Sequence, residues 1–359
     1  MPSFTMPKFK MPLPEVKPSP AMDSVVEDMW EWADRHHLIA GEAARRHVVR
    51  TRPAWTTAVY LPLADEEHLR IPNRFMIWAF ILDDNLDDSI SGGGIEAAAA
   101  FLDELIAVCH AERRPRTDTG RALEEIFDGL SEGRSPQWRA LLGESVALWL
   151  NTFVPEALAS RAGRVMTIEE FLPHRRNGVC EFIFAHLQEY VRGIELPVAI
   201  RNLPALRQAR ELACEWTGLF NDIYSVDKEE SVGYMHNAVL VTRTHRRCST
   251  QEAVDIVAAV VDGLLDQFLA ACAAAPAQIR ASADYSPHVF ADALEVVEGY
   301  QGLVRANFDY HRSAARYNDV ATYMPAALAE GDGIRPDWSV APALTPALLP
   351  DRSSACVAR

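Results

Sequence analysis

The chain has 359 residues, 49% of them hydrophobic and 24% charged, an ordinary globular balance with enough apolar surface for a large core. A net charge of -15 excludes a general surface for nucleic acid or an anionic membrane, because both partners require clustered Lys and Arg. The six cysteines are scattered without CxxC spacing, which points to neither a zinc site nor a disulfide framework and fits reduced thiols in a cytoplasm.

Residues 1–20 carry prolines at 2, 7, 12, 14, 18 and 20 and lack the apolar core of a signal peptide, so they are expected to form a disordered arm. Residues 21–325 read as one domain with a helical pattern, rich in Ala, Leu, Glu and Arg and nearly free of β-branched alternation. The expected fold is all-α, a bundle of about ten helices divided at Pro53, Pro62, Pro72, the Gly92-Gly93-Gly94 run, Pro115, Pro136, Pro155, Pro173, Pro197, Pro204 and Pro287. No stretch reaches the ~18 unbroken apolar residues of a membrane span. Residues 326–359, Pro- and Ala-rich without periodicity, read as a flexible tail.

Within the domain, the segment from Pro72 to Leu82 is apolar on nearly every face from Phe75 onward, which marks a buried helix. Asp83, Asp84, Asp87 and Asp88 follow directly. At a helix C-terminus each carboxylate faces the negative end of the macrodipole, at roughly 0.3–1 kcal/mol apiece, so the cluster needs cations. Asp83 and Asp87 lie one turn apart on the same face, where they can approach one metal or a pair. Hard oxygen ligands of this kind select Mg²⁺. Taken alone, the cluster also describes a solvated acidic helix end.

A second apolar helix opens at Pro204 and runs through Leu206, Leu212, Trp216, Leu219 and Phe220 into Asn221-Asp222-Ile223-Tyr224-Ser225-Val226-Asp227-Lys228-Glu229. Asn221, Ser225 and Glu229 are spaced i, i+4, i+8, so they form one stripe of oxygen donors that drifts only ~40° per step. Lys228 stands beside it, where an ammonium can hold a phosphate oxygen. Two oxygen-rich stripes, each ending an apolar helix, imply facing walls of one bundle with metals between them.

These motifs, followed by the pair Arg316-Tyr317, resemble in type and order the microbial class I terpene synthases: an aspartate-rich DDxxD or DDxxxD, then N-D-x-x-S-x-x-x-E, then Arg-Tyr. The resemblance implies a single-domain bundle with a central active-site cavity. It implies an enzyme that ionises a linear prenyl diphosphate, farnesyl or geranylgeranyl diphosphate, and cyclises the carbocation to a sesquiterpene or diterpene with release of diphosphate. Three Mg²⁺ are expected, with Mn²⁺ as a substitute, and a homodimer is a common assembly.

Asp83, Asp84, Asp87, Asp88, Asn221, Ser225 and Glu229 are then the candidate metal ligands. DDNLDD satisfies DDxxD through Asp87 and DDxxxD through Asp88, and Asp87 is the preferred ligand of the two. Arg175, 46 positions before Asn221, matches the family's diphosphate sensor, joined by Lys228, Arg316 and Tyr317. Gly178 and Val179 match the family's helix break, which exposes a backbone carbonyl beneath the substrate, and Asn177-Gly178 is a poor helix interior. Tyr60, Phe80, Trp149, Phe184 and Tyr310 match aromatic wall positions, where cation–π attraction supplies ~0.5–2 kcal/mol each. No dedicated general base is visible. The rival reading is a chain-elongating prenyl diphosphate synthase, which requires a second aspartate-rich motif where this chain has NDIYSVDKE.

Overall fold

The computed structural model describes residues 4–91, 94–231, 233–282 and 285–314, apart from the side chains at 43, 85 and 87–91. The side chains of Asp87 and Asp88, the pair Arg316-Tyr317 and the tail 326–359 therefore lie outside the described residues.

After a 3-10 turn at Asp23–Val25 come α1 (Val26–Arg35), α2 (Gly41–Thr51), α3 (Pro53–Tyr60), α4 (Glu66–Ser91) and α5 (Ile95–Cys109). They are followed by α6 (Asp118–Ser131), α7 (Pro136–Leu150), α8 (Phe153–Arg161), α9 (Ile168–Gly178) and α10 (Glu181–Val191). The last five are α11 (Val198–Arg201), α12 (Pro204–Ser231), α13 (Ala238–Arg246), α14 (Thr250–Ala281) and α15 (Pro287–Ser313). No strand occurs among the described residues, and the fold class is all-α.

Local sequence sets several of these ends. Thr167 and Ser249 open α9 and α14 with full capping boxes through Glu170 and Glu252, and the Ser135 side chain accepts from Trp138 N ahead of Pro136 in α7. Two expected breakers do not break. Pro72 sits inside α4 and Pro173 inside α9, each in the first two turns, where a missing N–H removes at most one intrahelical bond and packing outweighs it. As a result α4 starts at Glu66 and carries the aspartates within its last three turns.

Two apolar clusters make the core. One gathers the N-terminal helices around Trp32, Phe75, Trp78, Phe127 and Trp138, and the other gathers α12 to α15 around Trp216, Phe220, Phe268 and Tyr300. Packing is close where small residues allow it. A Cβ on Gly143 of α7 would stand 2.3 Å from the Cys109 carbonyl oxygen, so only glycine lets α7 pass the end of α5 at this spacing.

Helix α14 is long and apolar enough, by length and composition, to cross a membrane. Here Val254, Val257, Val261, Leu265 and Phe268 are buried in the second cluster, and Asp255, Asp262 and Asp266 interrupt the sequence.

The proline-rich arm departs from its expected disorder. Residues 6–18 carry no helix, as the prolines dictate, but the segment is laid along the bundle. Thr5 N donates to Gln251 Oε1 at 2.7 Å, Phe9 packs edge-on against Phe220 at 5.0 Å, and Arg305 Nη1 donates to the Leu13 carbonyl at 2.6 Å. Ser19 then bonds the Ala58 and Ala64 carbonyls. Phe9, Met11 and Leu13 alternate, so an extended backbone turns all three to the same side, with Leu13 buried in the second cluster and Phe9 and Met11 packed against it.

Candidate active site

Helices α3, α4, α7, α8, α9, α10, α12 and α15 surround a cavity with about 1140 Å³ of empty space, part of it open to solvent. One part of its wall is polar. Asp83 reaches it from α4, and Asn221, Ser225, Lys228 and Glu229 reach it from α12. Asp84, next in the chain, turns to His47 Nε2 at 3.1 Å and to Lys228 Nζ at 3.9 Å, so an ion pair spans the two walls. Among the described residues no three His, Cys, Asp or Glu side chains cluster as a metal site would; the oxygen donors are divided between α4 and α12.

The α12 stripe is held from behind by Asn237, the N-cap of α13. Its Nδ2 donates to Glu229 Oε2 at 2.8 Å, to the Asp222 carbonyl at 2.7 Å and toward Ser225 Oγ at 3.3 Å. Its Oδ1 accepts from Val239 N at 2.8 Å. One amide thus caps a helix and sets the rotamers of two stripe residues.

Arg175 enters from α9 and lies flat against α12, where Gly218 makes room; a Cβ there would stand 3.2 Å from Arg175 Cγ. Its Nη2 donates to Asn221 Oδ1 at 2.7 Å and its Nε to Asp222 Oδ1 at 2.9 Å. Burial pushes the Asp222 carboxyl up, against the pull of the guanidinium beside it. Arg176, the next residue, pairs instead with Glu215. Near Arg175, burial also pushes Glu156 up, but hydrogen bonds from His174 and Tyr234 and the charges of His174 and His236 outweigh it and hold this carboxylate below its usual range.

Helix α9 ends at Gly178, and the break falls where the sequence placed it. The strained residue is Cys180, whose φ of 65° is left-handed without being glycine, at roughly 1–2 kcal/mol. A Cβ on Gly178 would meet only ordinary contacts, 3.6 Å from Thr152 Oγ1. Strain of this kind persists only where the surroundings fix it, as at a ligand-facing wall.

Aromatic side chains line much of the remaining cavity. Tyr60 meets Phe184 edge-on at 5.0 Å, Phe80 lies 6.4 Å from Tyr310, and Trp149 lines the cavity beside Phe153 at 5.6 Å. All five expected aromatics face the same space, together with Gly178 and Val179.

Residues 74–267 match the family model described as "Terpene synthase family 2, C-terminal metal binding", more than half of the chain. The chain belongs to the terpene synthase family. Its similarity extends beyond that segment: it is 30% identical over 327 residues to the (2Z,6E)-hedycaryol synthase of Kitasatospora setae, covering 88% of this chain and 96% of that one. It is 26% identical over 272 residues to sesquiterpene synthase 6 of Postia placenta, covering 75% of this chain and 77% of that one. A solved hedycaryol synthase superposes with a TM-score of 0.78 at 26% identity, over 87% of this chain and 100% of that one. This terpene synthase is accordingly an enzyme of a metal-binding, all-α family.

Several cavity residues of this terpene synthase escaped the sequence reading. Thr217 lies one turn before Asn221 and extends the stripe; its Oγ1 is buried with no hydrogen-bond partner among the described residues. The i−4 spacing was a usable signal for it. Glu181, Asn307 and His311 also line the cavity. Asn221 Nδ2 donates to His311 Nε2 at 2.9 Å, and His311 Nδ1 donates to the Asn307 carbonyl at 2.7 Å, so a hydrogen-bonded line runs from the polar wall down α15. No motif marks these three: α10 also carries His186, Gln188 and Glu189, and α15 also carries Arg305, Asp309 and Arg312, so residue type alone does not single them out.

Proposed function

We propose that this chain is a Mg²⁺-dependent terpene cyclase that ionises a linear prenyl diphosphate and closes the carbocation into a ring, releasing diphosphate. The observation that carries the reading is that one cavity is lined both by the oxygen donors of α4 and α12, with Arg175 and Lys228, and by the rings of Tyr60, Phe80, Trp149, Phe184 and Tyr310. Asp83 and Asp87, with Asp84 and Asp88 beside them, and Asn221, Ser225 and Glu229 would hold three Mg²⁺, or Mn²⁺ in its place. The donor set fits such ions, being carboxylate, amide and hydroxyl oxygen with no thiolate or imidazole. Its division between two walls fits as well, because Mg²⁺ takes one or two carboxylates and completes its shell with substrate phosphates. Bound metal supplies Lewis-acid stabilisation of the departing diphosphate.

The remaining work falls to the chain itself. Arg175 and Lys228 donate to diphosphate oxygens, Arg175 through a planar fork that grips two at once, and Arg316 and Tyr317 join them. Aromatic faces from Tyr60, Phe80, Trp149, Phe184 and Tyr310 exclude water and stabilise cationic carbon without offering a nucleophilic lone pair. The Val179 carbonyl, freed by the break ahead of α10, adds a fixed negative dipole. Farnesyl diphosphate is the preferred substrate, because a relative is named as a sesquiterpene synthase, a C15 class; geranylgeranyl diphosphate is the second choice. Incubation with C10, C15 and C20 prenyl diphosphates followed by gas chromatography tests this: a cyclic C15 hydrocarbon or alcohol is expected, and longer linear diphosphates would overturn it in favour of chain elongation.

A further inference from the structure

The cavity holds a carboxyl group that its proposed chemistry has not used. Glu181 is the first residue of α10, directly after the strained Cys180, and it lines the cavity while only 2% exposed. Asn307 Nδ2 stands 3.2 Å from each of its oxygens. The Tyr60 hydroxyl donates to Asn307 Oδ1, which fixes the amide with its NH₂ toward Glu181. The nearby thiols of Cys180 and Cys214 are pushed well up by burial and stay protonated. Burial pushes Glu181 itself up to about 8, against the pull of the Asn307 amide, so it rests as a neutral acid at pH 7.

Neutral acid and anion are both provided for. The apolar wall favours the protonated form, while the N-terminus of α10 and the Asn307 amide stabilise the carboxylate once the proton has left. A group balanced in this way is suited to give a proton and take one back.

We propose that Glu181 is a catalytic residue of the cyclisation, a proton shuttle that reactivates a neutral cyclic alkene formed in the cavity. The proposal rests on the cyclase reading above. The first cyclic cation loses a proton to an oxygen of the released diphosphate, and the C–H pair becomes a double bond. The Glu181 O–H bond then breaks and its proton forms a new C–H bond with one alkene carbon, the π pair supplying the electrons and leaving a second cation. After further ring closure the Glu181 carboxylate takes a proton from a carbon beside the cationic centre, and that C–H pair becomes the final double bond. Glu181 ends as it began.

The test uses the full chain in D₂O, with Mg²⁺ and enzyme in excess over farnesyl diphosphate, so that each Glu181 carries solvent deuterium and acts once. The cyclic product should carry one carbon-bound deuterium by mass spectrometry. Glu181→Gln should lower the ratio of labelled to unlabelled product at least tenfold, and a product with one ring fewer should accumulate. Glu181→Asp, which keeps the acid, should restore part of the label. Wild-type product without deuterium, or an unchanged labelled product from Glu181→Gln, overturns the shuttle while leaving the cyclase reading intact. Failure to release diphosphate from any prenyl diphosphate overturns both.

Discussion

Arg175 of α9 holds Asp222 of α12 through two nitrogens, Nε at 2.9 Å and Nη2 at 2.8 Å from the same carboxylate oxygen, and donates at the same time to Asn221 Oδ1. A guanidinium bound to the wall that carries the proposed metal ligands is placed to exchange those partners for diphosphate oxygens. Arg176 faces away, toward Glu215 and Glu211.

Arg175→Lys keeps the charge and loses the fork, so kcat/KM for diphosphate release should fall by roughly 10²-fold or more, the usual cost of a transition-state donor. Arg176→Lys should stay within about threefold of wild type, as expected where only a partly exposed ion pair is altered. Steady-state kinetics on the two proteins decides it. Greater sensitivity at Arg176 would show the sensor position to be misread by one residue.

Asn237 is a positioning residue for the stripe. Asn237→Ala removes the α13 cap, worth about 0.5–2 kcal/mol by thermal unfolding, and frees the Glu229 and Ser225 side chains. Half-maximal Mg²⁺ should rise by about 10–100-fold, as when the partner of a metal ligand is lost. Loss of stability with an unchanged Mg²⁺ titration would leave Asn237 as a cap and nothing more.

Glu181 should make stability depend on pH. Its folded-state value of about 8 lies above the ordinary 4.5, so the native protein binds more protons than the unfolded chain between those limits. Its contribution is therefore most favourable below pH 4.5 and declines as pH rises through 8, by on the order of 5 kcal/mol in all. Glu181→Gln removes this decline. The melting temperature of the variant relative to wild type should rise from pH 5 to pH 8; a constant difference would show that Glu181 is ionised throughout.

Much of this was legible in the sequence because it rests on spacing within one helix. The i, i+4, i+8 stripe of Asn221, Ser225 and Glu229 is fixed by helical geometry alone, and the apolar runs ahead of it and of Asp83 required buried helices. Pro72 and Pro173 were misleading because a proline near a helix start costs little when the helix is held by packing. The arm was misleading for the opposite reason: its prolines correctly forbade a helix, while the alternation of Phe9, Met11 and Leu13 that buries it was a weaker signal than composition. Glu181, Asn307 and Tyr60 meet only through tertiary packing of α10, α15 and α3, and no local pattern encodes that meeting.

The most direct test of the central claim is diphosphate release from farnesyl diphosphate, titrated with Mg²⁺, by wild type and by Glu229→Gln. Wild type should be inactive in excess chelator and recover on adding Mg²⁺, while the folded variant, which loses one proposed ligand charge at nearly constant volume, should show at least a hundredfold lower rate at saturating wild-type Mg²⁺. Full turnover by wild type in chelator, or wild-type turnover by folded Glu229→Gln, would contradict metal-assisted ionisation at this cavity.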